Sequence, residues 1–530
     1  MRDKTTPVLE IEDLTIDFAT QQGRFTAVSE LSFSIGEDES VSIIGESGSG
    51  KSVTANAILG LVDCPPGRVR GGDIRFRGRS LLSLTPAQRE EINGRRIAMV
   101  FQDPLSHLNP VFPVGWQVAE VCRIHGESAR AARRTALELL ERVGIPDPSV
   151  RADSYPHQFS GGQRQRIMIA MAIAKRPDLL VADEPTTALD VTVQAQILDL
   201  LREIRAEVGM SLLMITHDLK VAAETADRIL VMKRGRMVET GTAHDVLVNP
   251  QHAYTKQLVA DQTRSYRLSA RPNPDRLLEV SNLDIHYGDY HAVKNVSLHV
   301  DASETLGVIG ESGSGKSSVA RAILRLQQIG AGTIRFSGSD ISQSRGEQLT
   351  EYRRSVQAVF QDPFSSLNPR MTIRKILCEP WVLNPGVVEK RSWRDEAARL
   401  LDLVGMSPGD LEKYPTEFSG GQCQRIAIAR SIALGPKLVV LDEAVSALDM
   451  TIRAQIMELL ADLRARLGLS YIFIAHDLSL VRNFADRVAV MKDGAIVEQG
   501  PTAEIFSQPV HEYTRELISA GILNAGMAVA

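Results

Sequence analysis

Short apolar runs recur along the chain at comparable places in its two halves. Val41–Ile44, Leu179–Ala182 and Leu212–Thr216 are four or five residues long and bounded by polar residues or glycine. Runs of that length suit strands buried on both faces. Helical patterns separate them: Lys51–Leu61 follows the first run, and Ala129–Val143 lies in a helix-rich stretch over 103–159. Alternating strands and helices predict an α/β fold, with a mostly parallel sheet covered by helices and the 103–159 stretch inserted as a subdomain. In the second half, Leu438–Leu441 repeats the pattern of Leu179–Ala182. No apolar run approaches the roughly 18–20 residues that cross a bilayer. The segment Met1–Pro7 lacks the apolar core of a secretory signal.

The apolar pattern repeats because the sequence does. Gly45, Glu46, Ser47, Gly48, Ser49, Gly50, Lys51 and Ser52 recur unchanged as Gly310, Glu311, Ser312, Gly313, Ser314, Gly315, Lys316 and Ser317. Phe101–Pro104 recurs at Phe360–Pro363, Ser160–Gln163 at Ser419–Gln422, Asp183–Glu184 at Asp442–Glu443, and His217 at His476. From the glutamines Gln102 and Gln361 onward, the spacing is identical in both copies. A repeat this long is a whole domain rather than a solenoid unit. The first domain is expected over 1–262 and the second over 277–530, with helical insertions at about 103–159 and 362–418. Thr263–Arg276 is polar and carries Pro272 and Pro274, which predicts an exposed linker.

The repeated octapeptide has the spacing of a phosphate-binding loop. Its glycines let backbone N–H groups curl around phosphate oxygens, and the following helix adds its positive end. Lys51 and Lys316 are placed to meet the β- and γ-phosphates, and the hydroxyls of Ser52 and Ser317 to ligate Mg²⁺. One such loop is compatible with a plain turn. Two identical loops, each between a predicted strand and a predicted helix, point to nucleotide.

Asp183 and Asp442 end apolar strands, where a carboxylate is costly without a cation or hydrogen bonds. They are the candidate Mg²⁺ ligands. Glu184 and Glu443 are the candidate general bases that polarise the attacking water. Gln102 and Gln361 can touch metal or water without adding charge. His217 and His476, each at a strand end, are candidates to hydrogen-bond the γ-phosphate.

Composition narrows the reading. The chain has 530 residues, 43% hydrophobic and 24% charged, with a net charge of −5. That is ample for more than one core and carries no basic excess of the kind nucleic acid demands. Its four cysteines, Cys64, Cys122, Cys378 and Cys423, have no metal-ligand spacing and read as free thiols of a reducing compartment.

These motifs, in this order and in both halves, resemble the ATP-binding cassette family over nearly the whole chain. The most specific elements are Ser160, Gly161, Gly162 and Gln163 and their twins Ser419, Gly420, Gly421 and Gln422, which look like the family signature at a helix start. The resemblance implies two tandem nucleotide-binding domains, each a RecA-like core with an inserted helical subdomain. It also implies two composite ATP sites formed head to tail. One would join Gly45–Ser52 to Ser419–Gln422, the other Gly310–Ser317 to Ser160–Gln163. Asp190 and Asp449 match the family's interface loop. Tyr287 and Phe18 match its adenine-stacking aromatic, with Tyr290 and Phe25 as rivals.

Two further stretches are similar to importers of dipeptides, oligopeptides and nickel. One is Phe101–Pro110 with its twin Phe360–Pro369. The other is the tail after each copy, Asn249–Leu258 and Gln508–Leu517. This branch implies an ATPase on the cytoplasmic face of a bacterial inner membrane. Two permease subunits would cross the membrane, and an external binding protein would deliver substrate. Neither tail holds cysteine, so no iron–sulfur centre is expected. Sugar- or metal-importer ATPases are the alternative branch; a fused sugar-importer ATPase usually has an atypical second phosphate loop. A soluble cassette translation factor would carry a longer charged linker, and a DNA-repair cassette ATPase zinc-binding cysteine clusters.

Overall fold

The computed structural model describes residues 6–20, 23–186, 189–266, 273–446, 448–475 and 477–521. Two compact units part near Val259 and Ala260, and each repeats the same plan.

In the first, a four-stranded sheet runs in the order Gly23–Ile35, Leu9–Thr20, Gly67–Phe76, Arg79–Ser80. Its strands pair antiparallel. A six-stranded sheet follows in the order Arg236–Thr242, Arg228–Lys233, Ser40–Ile44, Ser211–Ile215, Leu179–Asp183, Ile97–Val100. Its pairings are parallel except at the edge strand Arg236–Thr242. The second unit holds the same two sheets in the same strand order. Its central strands are Val356–Val359, Leu438–Asp442, Ser470–Ile474, Thr305–Ile309 and Arg487–Lys492.

The central strands are mostly apolar because both their faces are covered. Side chains alternate across a strand, so each parallel sheet feeds two cores. Leu179 and Val181 pack with the antiparallel sheet, while Leu180 and Ala182 pack with the helices. In the second unit Leu438 and Val440 take the first role, and Val439 and Leu441 the second. The inserted stretch of the first unit forms the helices Pro104–His107, Val114–Ile124, Ala129–Arg142 and Pro148–Arg151. That of the second forms Pro363–Ser366, Ile373–Leu383 and Trp393–Leu403, with short 3₁₀ turns.

Two boundaries differ from expectation. The helix predicted over Lys51–Leu61 ends at Leu59, because Gly60 takes the left-handed conformation (φ +70°) and caps it. The linker expected over Thr263–Arg276 is not uniformly exposed. The helix Ala253–Thr263 runs into it, and the strand Asn273–Tyr287 begins inside it. Tyr266 is buried, and its N–H donates to the Asn483 carbonyl at 2.8 Å. An aromatic among polar residues supplied the apolar contact that the prolines and charges of the segment obscured. Of this segment, 267–272 lie outside the described residues.

A candidate nucleotide site in each half

Each octapeptide loop joins a buried strand to a helix beginning at its lysine, Lys51–Leu59 or Lys316–Ile323. The first glycine is obligatory on steric grounds. At Gly45 (φ +151°) a Cβ would lie 2.2 Å from the Met232 carbonyl oxygen, and at Gly310 (φ +148°) 2.1 Å from that of Met491. Ser47, Gly48, Ser312 and Gly313 are exposed at the crest, whereas Ser49 and Ser314 are buried. The buried Lys51 ammonium donates to the carbonyls of Gly45 (2.8 Å) and Glu46 (2.7 Å). Lys316 does the same to Gly310 (2.8 Å) and Glu311 (2.6 Å). Desolvation lowers the Lys316 pKa, against the opposing pull of Glu443.

Asp183, the last residue of its strand, is buried beside the loop. The Ser52 hydroxyl donates to Asp183 Oδ1 at 3.2 Å, and that of Ser317 to Asp442 Oδ1 at 3.4 Å. Desolvation pushes the Asp183 carboxyl up to about 6; the Ser52 hydrogen bond opposes this and the Glu184 charge adds to it. Burial likewise raises Asp442. A desolvated carboxylate next to a hydroxyl is a hard-oxygen pair of the kind Mg²⁺ takes, and a cation there offsets the desolvation cost. The residues present therefore fit that ion, which Ser52 and Asp183 would hold in one half, and Ser317 and Asp442 in the other.

Glu184 and Glu443 adopt left-handed conformations, φ +46° and +52°. Non-glycine residues seldom do so, and such strain concentrates at functional positions. The turn is pinned by the N–H of Glu184 on the Ile215 carbonyl (2.8 Å) and that of Glu443 on Ile474 (3.0 Å). In the first half Gln102 donates to Glu184 Oε2 at 2.8 Å, and His217 Nδ1 lies 3.2 Å from Glu184 Oε1. Three side chains predicted separately thus meet at one carboxylate. The amide nitrogen of Gln102 is engaged there, so its oxygen is the atom that can meet a cation. Gln361 is exposed, and His476 lies outside the described residues.

The signature helices Gly161–Ile173 and Gly420–Ile432 begin with closed capping boxes. Ser160 Oγ accepts the Gln163 N–H (3.3 Å), and Gln163 Oε1 accepts that of Ser160 (3.2 Å). Ser419 and Gln422 repeat this at 3.4 and 3.0 Å. Serine and glutamine thereby hold the first turn, while the N–H groups of Gly161, Gly162, Gly420 and Gly421 have no intrahelical acceptor. A Cβ on Gly162 would lie 2.4 Å from Val193 Cγ1, and one on Gly421 2.4 Å from Ile452 Cγ2. Asp449 caps the helix Met450–Leu467 through the Ile452 N–H (3.0 Å), and Asp190 precedes the helix Val191–Val208.

The four aromatics form two cross-strand pairs, Phe18 opposite Phe25 and Tyr287 opposite Tyr290. Phe18 is partly buried against the first core, and Phe25 is exposed. The Tyr287 hydroxyl donates to Ser318 Oγ at 3.4 Å, one residue beyond the loop serine.

One contact in each half was not anticipated. Tyr254, in the tail, is buried, and its hydroxyl oxygen accepts the Glu46 N–H at 3.1 Å; Tyr513 accepts that of Glu311 at 3.0 Å. The only sequence signal was one tyrosine at the same place in both tails.

The model of the ABC transporter family matches residues 28–187 and 293–446. That of the oligopeptide/dipeptide transporter C-terminal region matches 238–271 and 497–525. The glutathione import ATP-binding protein GsiA of Pectobacterium atrosepticum is 43% identical, over 97% of this chain and 89% of its own. The peptidoglycan transport ATP-binding protein YejF of Agrobacterium fabrum is 43% identical, over 97% and 96%. Among solved structures, cbiO1 of Clostridium perfringens, part of the ABC transporter complex cbiONQ, is 29% identical, with a TM-score of 0.41 over 44% of this chain and 92% of its own.

Proposed function

The chain belongs to the ABC transporter family as a double-cassette ATPase, and from that premise we propose that it energises a bacterial importer of di- or oligopeptides or of a related solute such as glutathione. The observation that carries this reading is the oligopeptide/dipeptide transporter region matched after both cassettes. The names of the relatives, glutathione and peptidoglycan transport ATP-binding proteins, agree with it. Among the described residues no helix is long and apolar enough to cross a membrane. In this reading the solute path belongs to partners, two permease subunits and an external binding protein, with this chain on the cytoplasmic face.

In this reading the loops Gly45–Ser52 and Gly310–Ser317 hold the phosphates of ATP, and Ser160–Gln163 and Ser419–Gln422 each complete the other half's loop. Bound Mg²⁺ would neutralise charge on the β- and γ-phosphates. Glu184 and Glu443 take the proton of the attacking water as the γ-phosphoryl bond breaks. Gln102 orients the Glu184 carboxylate, and Gln361 is the second half's residue to meet metal or water; His217 and His476 hydrogen-bond the transferred phosphoryl oxygens. Asp190 and Asp449 fix the starts of the helices that follow. Tyr287, with Phe18 or Phe25 in the other half, stacks on adenine.

Reconstitution in liposomes with the permeases that co-purify provides the test. ATP-dependent uptake of a labelled dipeptide, oligopeptide or glutathione is expected. Uptake of a sugar or nickel alone would overturn the peptide reading while leaving the ATPase intact.

A further inference from the structure

The tail after each cassette ends beneath the phosphate loop. Its first turn is clamped by a glutamate on the edge strand. Glu239 accepts the N–H groups of Gln251 (2.7 Å) and His252 (3.1 Å), and Glu498 those of Val510 (2.8 Å) and His511 (3.0 Å). His252 Nδ1 then accepts the Tyr254 N–H at 3.1 Å, and His511 Nδ1 that of Tyr513 at 3.2 Å. This fixes where the tyrosine ring goes. Each ring is 3% exposed, with an ammonium on its face: Lys233 lies 4.3 Å from the Tyr254 centroid and Lys492 4.5 Å from that of Tyr513. Leu258 and Leu517, one turn further on, are buried and hold the tail down.

The ring carries its hydroxyl to the N–H of the second loop residue. The first loop residue, Gly45 or Gly310, is already walled in by the Met232 or Met491 carbonyl. The start of the loop is therefore set by a carbonyl beside one residue and a phenol beneath the next. These amides are part-buried, and an N–H withdrawn from water needs an acceptor. Without the phenol oxygen, the Glu46 or Glu311 amide loses this acceptor, and the loop amides beside it lose a fixed point. The same contacts arise in both halves, although Gln251 and Ala253 are replaced by Val510 and Glu512. That points to selection of the tyrosine–loop contact rather than of the tail as a whole.

We propose that Tyr254 and Tyr513 are positioning residues for nucleotide binding, each bracing its phosphate loop from the tail through the Glu46 or Glu311 amide. The tail is thereby a lever on ATP affinity. The inference rests on reading Gly45–Ser52 and Gly310–Ser317 as the nucleotide loops.

Phenylalanine keeps the ring and the lysine contact and removes the hydroxyl. In the full chain, Tyr254→Phe with Tyr513→Phe is expected to raise KM for ATP, and the Kd of a fluorescent ATP analogue, about five- to tenfold. The turnover number stays within about twofold, because Glu184 and Glu443 are untouched. Tyr471→Phe is the comparison: its buried hydroxyl donates to the Leu460 carbonyl at 2.9 Å, apart from the loop. It should lower the melting temperature and leave KM alone. An unchanged KM and Kd in the double variant, or an equal change in Tyr471→Phe, overturns the brace. If the double variant does not fold, each single variant carries the test through azido-ATP labelling. The label should fall at the loop of the altered half, and an equal fall at both loops overturns the proposal. Lys51→Ala with Lys316→Ala separates the premises. Retained nucleotide binding there sinks the loop assignment itself, whereas lost binding there with no effect of Tyr→Phe sinks only the brace.

Discussion

The two halves agree around the phosphate loop and diverge in the inserted helices. The lysine-to-carbonyl bonds, the serine–aspartate contact and the tyrosine beneath the loop recur with distances that differ by 0.2 Å or less. The insertions do not recur in this way. Trp381 in the second half is almost fully buried, and its indole N–H donates at 2.8 Å to the Ala433 carbonyl at the end of the signature helix. The position of equal spacing in the first half is the buried Cys122. There the helices approach closely on small residues instead: a Cβ on Gly115 would lie 2.6 Å from that of Ala152. Even so, one substitution preserves its contact by different chemistry. Arg164 donates to the Pro156 carbonyl at 2.8 Å, and Cys423 reaches the Pro415 carbonyl at 3.5 Å. In the proposed reading, the reaction fixes the atoms around the loop. The insertions are bound only by the need to fill a core and seat the signature helix.

If the loops are equivalent, Glu184→Gln and Glu443→Gln should have similar effects singly, and together should reduce steady-state ATP turnover by about 10²- to 10⁴-fold with nucleotide binding retained. Phosphate release by the purified double variant measures this. Unequal single variants would break the symmetry of the comparison.

The divergence of the insertions predicts an asymmetric loss of stability. Trp381→Ala should destabilise the second half by about 3–5 kcal/mol, through the cavity and the lost hydrogen bond, whereas Cys122→Ala should cost the first half about 1 kcal/mol. Urea titrations followed by hydrogen exchange in each half would show it.

The smallest effect sharpens how the copies depend on each other. Ser160→Arg added to Lys316→Ala should lower bound ATP little further, because both changes act on one site. Added to Lys51→Ala it should remove the remaining site. Bound ATP counted at each loop by photolabelling decides this. Loss confined to the Lys51 loop on Ser160→Arg would contradict the head-to-tail arrangement.

The architecture was legible because parallel strands covered on both faces leave continuous apolar runs, and the duplication supplied each reading twice. The place of the loops between strand and helix, and of the Asp–Glu pairs at strand ends, was legible from residue type and spacing. The meeting of Gln102 and His217 at Glu184 was not, because it depends on a left-handed turn that a glutamate does not advertise. The role of Tyr254 was hidden by distance: it lies over 200 residues from Glu46 in sequence. Tyr266 was read as part of a polar linker, since a single aromatic does not shift local composition.

The cysteines give the two halves a chemical difference that the catalytic residues do not. Cys122, Cys378 and Cys423 are buried, and desolvation holds each thiol above its ordinary pKa, that of Cys423 at about 11. They are poorly ionised at neutral pH and shielded from electrophiles. Cys64 is exposed, a few residues past the helix that the first phosphate loop opens. A maleimide reagent therefore has one accessible target in the folded chain, and a probe attached there would mark the first cassette without marking its twin.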